Sequence, residues 1–217
     1  MTAVLKQADL ILRGEESSRD LPRLLLLVLI FGMFYGAVMG TFSASSLDRL
    51  LQIVYAAIKV PFLLLLTFLI SLPSFFVLNT LLGLRSDFGE AVRALITTQA
   101  GLTIVLASLA PFTGLWYATS ADYSVAILFN ASMFAIASFT AQFLLRRLYR
   151  PLIARNGRHR VLLRLWIVIY VFVGIQMGWV LRPFVGSPLA ETRFFREGAF
   201  TNAYTFVGNL IWNVLTR

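Results

Sequence analysis

Residues 60–82 read VPFLLLLTFLISLPSFFVLNTLL and contain no Asp, Glu, Lys, Arg or His. A helix needs about 20 mainly apolar residues to cross the roughly 30 Å hydrocarbon core of a bilayer. This stretch is long enough and apolar enough to do so, and it predicts a transmembrane helix.

Four other stretches share this character. The five predicted spans, all free of charged residues and histidine, are approximately 24–42, 60–82, 94–116, 123–145 and 165–181. The chain is 59% hydrophobic and only 13% charged, whereas a soluble domain is about 45–50% apolar and roughly a quarter charged. We therefore predict an all-α fold, an integral membrane helical bundle forming one domain over residues 1–217. A soluble or disordered chain is excluded.

The Lys and Arg residues are distributed unevenly over the connections between the spans. Thirteen of the 19 lie in residues 1–23, in the second loop and in the fourth loop, and the fourth loop alone holds seven. Cytoplasmic loops of membrane proteins carry the excess of basic residues. This predicts a multi-pass protein of the bacterial cytoplasmic (inner) membrane, with its N-terminus in the cytoplasm and its C-terminus outside. Residues 1–23 are then a cytoplasmic leader, in which residues 2–13 have a weak amphipathic pattern.

Two segments outside the spans have apolar residues three and four apart, the pattern of an amphipathic helix. In residues 46–59 the opposite face bears Gln52 and Lys59, which predicts a helix on the outer membrane interface that turns inward at Pro61. In residues 199–216 three asparagines oppose the apolar face, so this segment predicts a second interfacial helix rather than a sixth span.

Three glycines recur at every fourth residue of the first span, and they are Gly32, Gly36 and Gly40. Small residues at this spacing let two membrane helices approach closely. The pattern predicts a helix contact. Packing against another span of the same chain and packing against a second copy or a partner subunit are both consistent with it.

The fourth loop is rich in arginine and contains no acid. The residues with which it would contact anionic lipid at the cytoplasmic face are Arg146, Arg147, Arg150, Arg155, Arg158 and Arg160. Each such side chain contributes about 1 kcal/mol of attraction to an anionic leaflet. Nucleic acid or an acidic protein is the alternative ligand. Because arginine runs arise from orienting the neighbouring spans, we favour lipid and predict no nucleic-acid partner.

A distinctive stretch, WVLRPFVGSP, follows the fifth span at residues 179–188. Glycine and proline at this spacing favour an irregular, rigid turn. We predict an outer-face cap within residues 182–217, which either closes the bundle or provides a docking surface for another subunit. Its principal residues are Trp179, Arg182, Pro183, Phe184, Gly186 and Pro188.

Chemically reactive groups are scarce in this chain. It has no cysteine and a single histidine, His159, which lies between two arginines and is predicted to be a solvated loop residue. Thiolate metal sites are excluded, and no nucleophile–base pattern or phosphate-binding glycine motif is present. We predict no catalytic residue, no metal and no cofactor. The polar residues within the spans are amides and hydroxyls able to cross-link helices, namely Asn79, Thr97, Thr98, Gln99, Asn130, Gln142 and Gln176.

Several segments resemble a family of polytopic bacterial membrane proteins that is frequent in cyanobacteria, some members of which are labelled "actin-binding WASP-homology domain" proteins. The matching pieces are YGAVMG (35–40), KVPFLLLLTFLISLPSFFVLN (59–79), WVLRPFVGSP (179–188) and FFREGAFTNAY (194–204). The resemblance implies a multi-pass membrane plan and supplies no established activity. The composition gives no support to actin binding.

Two functions remain open on these grounds. Abundant packing signals beside absent chemical ones favour a non-catalytic scaffold or accessory subunit of a membrane complex, with other membrane subunits or a second copy as partner. The alternative is a channel or carrier for a neutral or lipidic solute that uses the proline-bent second and third spans.

Overall fold

A computed structural model of the chain describes residues 2–13, 20–42, 47–182, 184–186, 192–196, 199–200 and 202–205. These residues form helices and turns without any strand. The helices are α1 (Thr2–Arg13), α2 (Leu21–Gly40), α3 (Leu47–Leu81), α4 (Phe88–Thr119), α5 (Tyr123–Arg155) and α6 (Arg158–Leu181), with a short 3-10 turn at Arg85–Asp87 before α4. Helices α2 to α6 are each long and apolar enough to cross a membrane. The prediction of an all-α membrane bundle with five transmembrane helices is confirmed.

The successive helices alternate in direction between two ends of the bundle. At one end the connection before α4 meets the turn between α5 and α6, where His159 contacts Asp87. We call this the hairpin end. At the other end α2 meets the connection between α4 and α5, where the rings of Phe42 and Tyr123 are 6.2 Å apart. We call this the cap end, since the chain that follows α6 lies here.

Helix α4 is the centre of the bundle. Within its most apolar window 72% of the residues are buried, compared with 28% for α5 and 17% for α6. Many of the side chains that make this possible are small, and most of the hydroxyls among them are satisfied by their own helix. Thr97 and Thr98 each donate to the carbonyl four residues earlier, at 2.8 Å. Helix α2 packs on α3 and α4, α5 packs on α4, and α6 packs on α3.

Helix α3 differs from the prediction in one important respect. Residues 46–59 were expected to form a separate interfacial helix that turns at Pro61, but α3 runs without interruption from Leu47 to Leu81 with Pro61 inside it. At 35 residues it is about 52 Å long. In its first turns the polar face is covered by protein and the apolar face is exposed, whereas an interfacial helix turns its polar face to water. Gln52 and Lys59 are buried in the protein, whereas the apolar side chains of Leu50, Leu51, Val54 and Ile58 are exposed.

The position of Lys59 corrects a second expectation. Defining the second span as residues 60–82 left every span without a titratable group. Because α3 is continuous, Lys59 belongs to a membrane-spanning helix, and its side chain is 0% exposed. Its Nζ lies 4.8 Å from the centre of the Phe194 ring. A cation is therefore buried inside the bundle near the cap end.

The arginine-rich fourth loop is also shorter than predicted. Helix α5 continues to Arg155 and α6 begins at Arg158, so only Asn156 and Gly157 connect them. The Asn156 side chain accepts a hydrogen bond from the backbone N–H of Arg158 at 3.0 Å and so fixes the turn. Counting apolar residues missed these extensions, because a helix continues beyond the hydrocarbon core wherever charged side chains can reach water.

Helix α1 is part of the bundle rather than a free leader. Ala8 and Ile11 are buried in the same apolar cluster as residues of α2 and α4. The Ile11 side chain lies close to Gly101, where a Cβ would be 3.8 Å from Ile11 Cγ2. The glycine at position 101 leaves room chiefly for the Leu144 side chain of α5, and α1 makes an ordinary van der Waals contact at the same place on α4.

Candidate functional site

The glycine surface of α2 faces α3 of the same chain. A Cβ added to Gly36 would lie 2.8 Å from the Cα of Ala57, and one added to Gly40 would lie 2.7 Å from the Cα of Ile53. At Gly32 the neighbour is the ring of Pro61, with its Cβ at 3.2 Å. Of the two contacts that the spacing allowed, the structure contains the one within the chain.

The described part of the cap is fastened to the first turns of α3. We use the name cap segment for residues 182, 184–186 and 192–196. Gln52 donates a hydrogen bond from Nε2 to the carbonyl of Phe184 at 3.0 Å, and a Cβ on Gly186 would lie 2.9 Å from Gln52 Cγ. The rings of Tyr55 and Phe194 meet edge to face at 5.3 Å. These contacts explain why the polar face of α3 is buried. Pro183 and Pro188 lie outside the described residues.

The tail that follows the cap segment is described only as far as residue 205. In that part Ala203 donates its backbone N–H to Gln176 Oε1 at 3.0 Å, and the rings of Tyr204 and Phe172 stack at 4.5 Å. Both contacts are with α6. Most of the predicted interfacial helix at 199–216 lies outside the described residues.

A network of polar side chains joins three helices in the half of the bundle nearer the cap end. Tyr35 donates to Asn130 Oδ1 at 3.2 Å, Asn130 donates in turn to the Tyr117 hydroxyl, and Tyr117 donates to the carbonyl of Met39 at 3.3 Å. Asn130 also donates to the Ala126 carbonyl at 2.7 Å. The prediction that Asn130 cross-links helices is confirmed, and the link fixes α2, α4 and α5 relative to each other.

A cleft opens between α5 and α6 beyond their two-residue turn, because one packs on α4 and the other on α3. Its inner part is a cavity of about 400 Å³, with α4 as its floor. Gln99 and Tyr170 meet there, with the Tyr170 hydroxyl donating to Gln99 Oε1 at 2.9 Å. The other polar residues of its lining are Thr98, Ser138 and Gln142. The Oε1 atom of Gln142 is buried with no hydrogen-bond partner among the described residues.

A second cavity, of about 450 Å³, lies nearer the cap end, between α5, the cap segment and single residues of α2 and α3. Phe134 lines both cavities, so its ring lies between them. The wall of the second cavity is mainly apolar, but Arg182 and Arg196 of the cap segment also line it. Both volumes fall in the range of about 300–1,000 Å³ that is typical of small-molecule sites.

Arg182 is held in place by the last turn of α6. Its guanidinium carbon lies 3.1 Å from the centre of the Trp179 ring, a cation–π contact. Burial, and secondly the like charge of Arg196, lower the pKa of the Arg182 guanidinium. Arginine side chains are effectively always charged in proteins. The cap end of the cleft therefore presents two positive charges.

A cluster of charged side chains closes the hairpin end. His159, expected in solvent, is 0% exposed, and its Nε2 lies 3.0 Å from Asp87 Oδ2. Arg155 pairs with Glu90 and lies 3.8 Å from Asp87. The prediction for His159 is wrong because the connection before α4 folds over the start of α6 and supplies a carboxylate partner, which no local sequence pattern indicates.

The six arginines predicted to contact lipid divide into two groups. Arg155 and Arg158 are used within the protein, the latter donating to the carbonyl of Leu82 at 3.1 Å. The remaining four are exposed on the helical surface of the hairpin end, and they are Arg146, Arg147, Arg150 and Arg160.

The His159–Asp87 pair is the nearest approach to a catalytic arrangement. Its neighbour Tyr149 has a hydroxyl that is buried without a hydrogen-bond partner in the described part of the chain, and the Tyr149 and His159 rings are 6.0 Å apart. Neither cavity of the α5–α6 cleft includes these residues. Among the described residues no group of three or more His, Asp or Glu side chains could hold a metal.

Comparison of the chain with models of protein families, with curated proteins and with solved structures finds no match. The fold and its cavities define the class of protein directly. It is a multi-pass helical membrane protein with a lateral cleft between its last two transmembrane helices.

Sequence reasoning identified some residues of the cleft and missed its existence. Gln99 and Gln142 were each predicted to cross-link helices, and Arg182 was predicted to belong to the cap. The structure brings them to one cleft. Of the other amides expected to cross-link helices, Asn79 is fully buried elsewhere on α3 and Gln176 bonds to Ala203. The available signal was the alternation of polar and small residues on α5, which is too weak to recognise without knowing how far α5 and α6 diverge.

Proposed function

We propose that this protein is a non-catalytic membrane protein that binds a lipidic solute in the cleft between α5 and α6. The observation that supports this most directly is the position of the two cavities. Both border α5, and the inner one lies between α5 and α6, the two transmembrane helices that are least buried in the bundle, where molecules dissolved in the bilayer have direct access.

The lining of the inner cavity supports binding over simple packing. Polar side chains inside a membrane are costly unless they have a hydrogen-bond partner. Gln99 and Tyr170 form a hydrogen bond with each other, but the acceptor Gln142 Oε1 has no donor among the described residues. A lipidic molecule with a neutral polar group part way along its length would satisfy that acceptor and fill the apolar space around it.

The test compares two single-residue variants of α5. Ser138→Trp places an indole in the inner cavity, whereas Ser132→Trp places one on α5 outside both cavities. Both serines are exposed, so the two changes are matched in chemistry. Lipid retained after purification in a mild detergent is extracted and identified by mass spectrometry. We expect the wild type and Ser132→Trp to retain the same lipid in the same amount. The amount of lipid retained by Ser138→Trp should be at least fivefold lower.

Two results would contradict the proposal. One is a wild-type protein that carries no lipid beyond the bulk composition of the micelle. The other is equal retention by the two variants, which would show that the inner cavity is not where lipid binds. Size-exclusion profiles of both variants confirm that a loss of lipid does not follow from unfolding.

A second candidate function is the accessory subunit of a membrane complex. The glycine surface is occupied by α3, so a partner would use the outer faces of α5 and α6, which are the least buried of the five spans. Purification under the same mild conditions addresses this function as well. A protein partner recovered in constant proportion to the chain would favour it.

For localisation we propose the bacterial cytoplasmic membrane, with the hairpin end in the cytoplasm and the cap end outside. The excess of arginine at the hairpin end supports this orientation, and the four exposed arginines there are suited to anionic lipid headgroups. Since the chain has no cysteine, single substitutions test the proposal cleanly. In intact cells a membrane-impermeant maleimide should label Ala121→Cys, and should label Gly157→Cys only after lysis. The reverse labelling pattern would show that the hairpin end is outside and the cap end is in the cytoplasm.

A further inference from the structure

We infer that the ligand of the cleft is a long-chain anionic amphiphile whose headgroup is bound between Arg182 and Arg196 at the cap end. This inference rests on the proposed function and adds to it the charge of the ligand and the direction in which it lies.

The first support is the pair of guanidinium groups in one cavity. Arg182 and Arg196 both line it, and their like charges act on each other. Neither makes an ion pair with another residue of the described ranges, and the Nε of Arg182 is buried without a hydrogen-bond partner there. Two unneutralised cations beside one space attract an anion. Arginine binds phosphate and carboxylate groups through paired hydrogen bonds.

The second support is the absence of a competing acid from the described lining of this cavity. Among the described residues, the acid that is adjacent in sequence to this lining is Asp122, which precedes Tyr123. Its carboxylate accepts a hydrogen bond from the backbone N–H of Val125 at 3.0 Å and caps the start of α5. Asp122 is thus engaged by the helix, while the arginines remain available to a ligand.

The third support is the apolar wall beside the charges. The cavity is completed by Met39, Leu63, Ile127, Phe184 and Val185. A small hydrated anion gains nothing from such a wall, whereas the first methylene groups of a lipid chain gain about 0.8 kcal/mol each on burial away from water. The combination is suited to an amphiphile with its headgroup at the membrane surface.

The length of the cleft indicates a long chain. Tyr123 lines the cavity at the cap end and Gln142 lines the inner one. They are 19 residues apart on α5, which corresponds to about 28 Å of helix. This is close to the roughly 30 Å thickness of the hydrocarbon core. A chain that starts at the arginines and passes Phe134 would reach the polar groups of the inner cavity.

The experiment compares lipids that differ only in the headgroup, which is anionic in one and zwitterionic in the other. The full-length protein is freed of lipid by detergent exchange and titrated with phosphatidylglycerol or phosphatidylcholine of identical acyl chains, with native mass spectrometry as the readout. Glycerol phosphate, which has the anionic group without the chains, is the third probe. We expect at least tenfold tighter binding of phosphatidylglycerol than of phosphatidylcholine and no binding of glycerol phosphate in the same concentration range.

Variants locate the binding site. Arg182→Gln/Arg196→Gln should reduce phosphatidylglycerol binding at least tenfold and leave phosphatidylcholine binding unchanged. Arg85→Gln/Arg93→Gln removes the same charge from exposed positions at the hairpin end, outside the arginines suited to lipid headgroups, and should change neither. Arg196→Gln alone, at an exposed position, provides the test if the double variant does not fold, with an expected loss of at least threefold.

The possible failures are distinguishable. Equal affinity for the two lipids, still abolished by Ser138→Trp, would overturn the anionic headgroup and leave the proposed function standing. Tight binding of glycerol phosphate would replace the amphiphile by a soluble anion. Loss of phosphatidylglycerol binding in the Arg85→Gln/Arg93→Gln control, and none in the cap variants, would assign the lipid to the hairpin end. No lipid binding of any kind would overturn both proposals.

Discussion

Replacing Gly36 by alanine tests the close approach of α2 and α3. The added Cβ would lie 2.8 Å from the Cα of Ala57, and carbon atoms in good contact are about 3.5–4.0 Å apart. The obstacle is backbone, so the two helices must separate locally by about 1 Å. A gap of that size removes roughly a quarter to a half of the dispersion energy of the contacts it affects. We expect a loss of about 2 kcal/mol, within the range of about 1–3 kcal/mol for overpacked cores.

The matched control is Gly178→Ala in α6, where a Cβ would meet nothing within 4 Å. There the substitution removes only the conformational freedom of glycine, which favours the folded helix by roughly 0.5–1 kcal/mol. Unfolding of each purified variant by titration with sodium dodecyl sulfate in mild detergent, followed by circular dichroism, gives the two free energies. A loss of about 2 kcal/mol changes the ratio of folded to unfolded protein by about 30-fold.

Equal unfolding curves for Gly36→Ala and the wild type would refute the reasoning, because a backbone clash at this distance cannot be relieved by a rotamer change. A different refutation is also measurable. If Gly36→Ala left the monomer as stable as before but changed its oligomeric state, the glycine surface would be a contact between copies rather than between α2 and α3.

Two further substitutions test the two ends of the bundle. Asp87→Ala removes the carboxylate beside the buried His159, and we expect a loss of about 1–3 kcal/mol in the same unfolding titration; no change would show that the pair does not stabilise the hairpin end. Gln52→Ala removes the hydrogen bond to the Phe184 carbonyl, worth about 0.5–1.5 kcal/mol, and should speed trypsin cleavage in the cap segment about two- to tenfold. Val54→Ala, on the exposed face of the same helix, should leave cleavage unchanged, and equal acceleration by both would contradict the assignment.

Sequence reasoning succeeded where one physical requirement dominates. Backbone groups in a bilayer must be bonded within a helix, so runs of about 20 apolar residues identify five spans without knowledge of their neighbours. Helix ends were less predictable. Charged residues such as Arg155 and Arg158 were assigned to a loop, although they continue two helices and leave a turn of only two residues.

The amphipathic pattern of residues 46–59 shows why the rest was harder to predict. Periodicity identifies a polar face but does not say whether water or protein covers it. Here Gln52 meets the cap segment, which lies 132 residues away in sequence. The cleft has the same origin. Its lining comes from α4, α5, α6 and the cap segment, and each residue has an ordinary local context.

The two-residue turn at Asn156–Gly157 has a mechanical consequence. Helix α6 has 24 residues and is about 36 Å long, so a change of about 10° in its angle to α5 would displace its far end by roughly 6 Å. Such a displacement exceeds the width of an acyl chain, while the residues of the turn would move very little. Because α5 packs on α4 and α6 on α3, while α2 packs on both α3 and α4, the turn is the direct connection between α5 and α6 and the rest of the bundle joins them through the inner helices. The width of the cleft toward the cap end therefore depends on the angle set at the turn farthest from it.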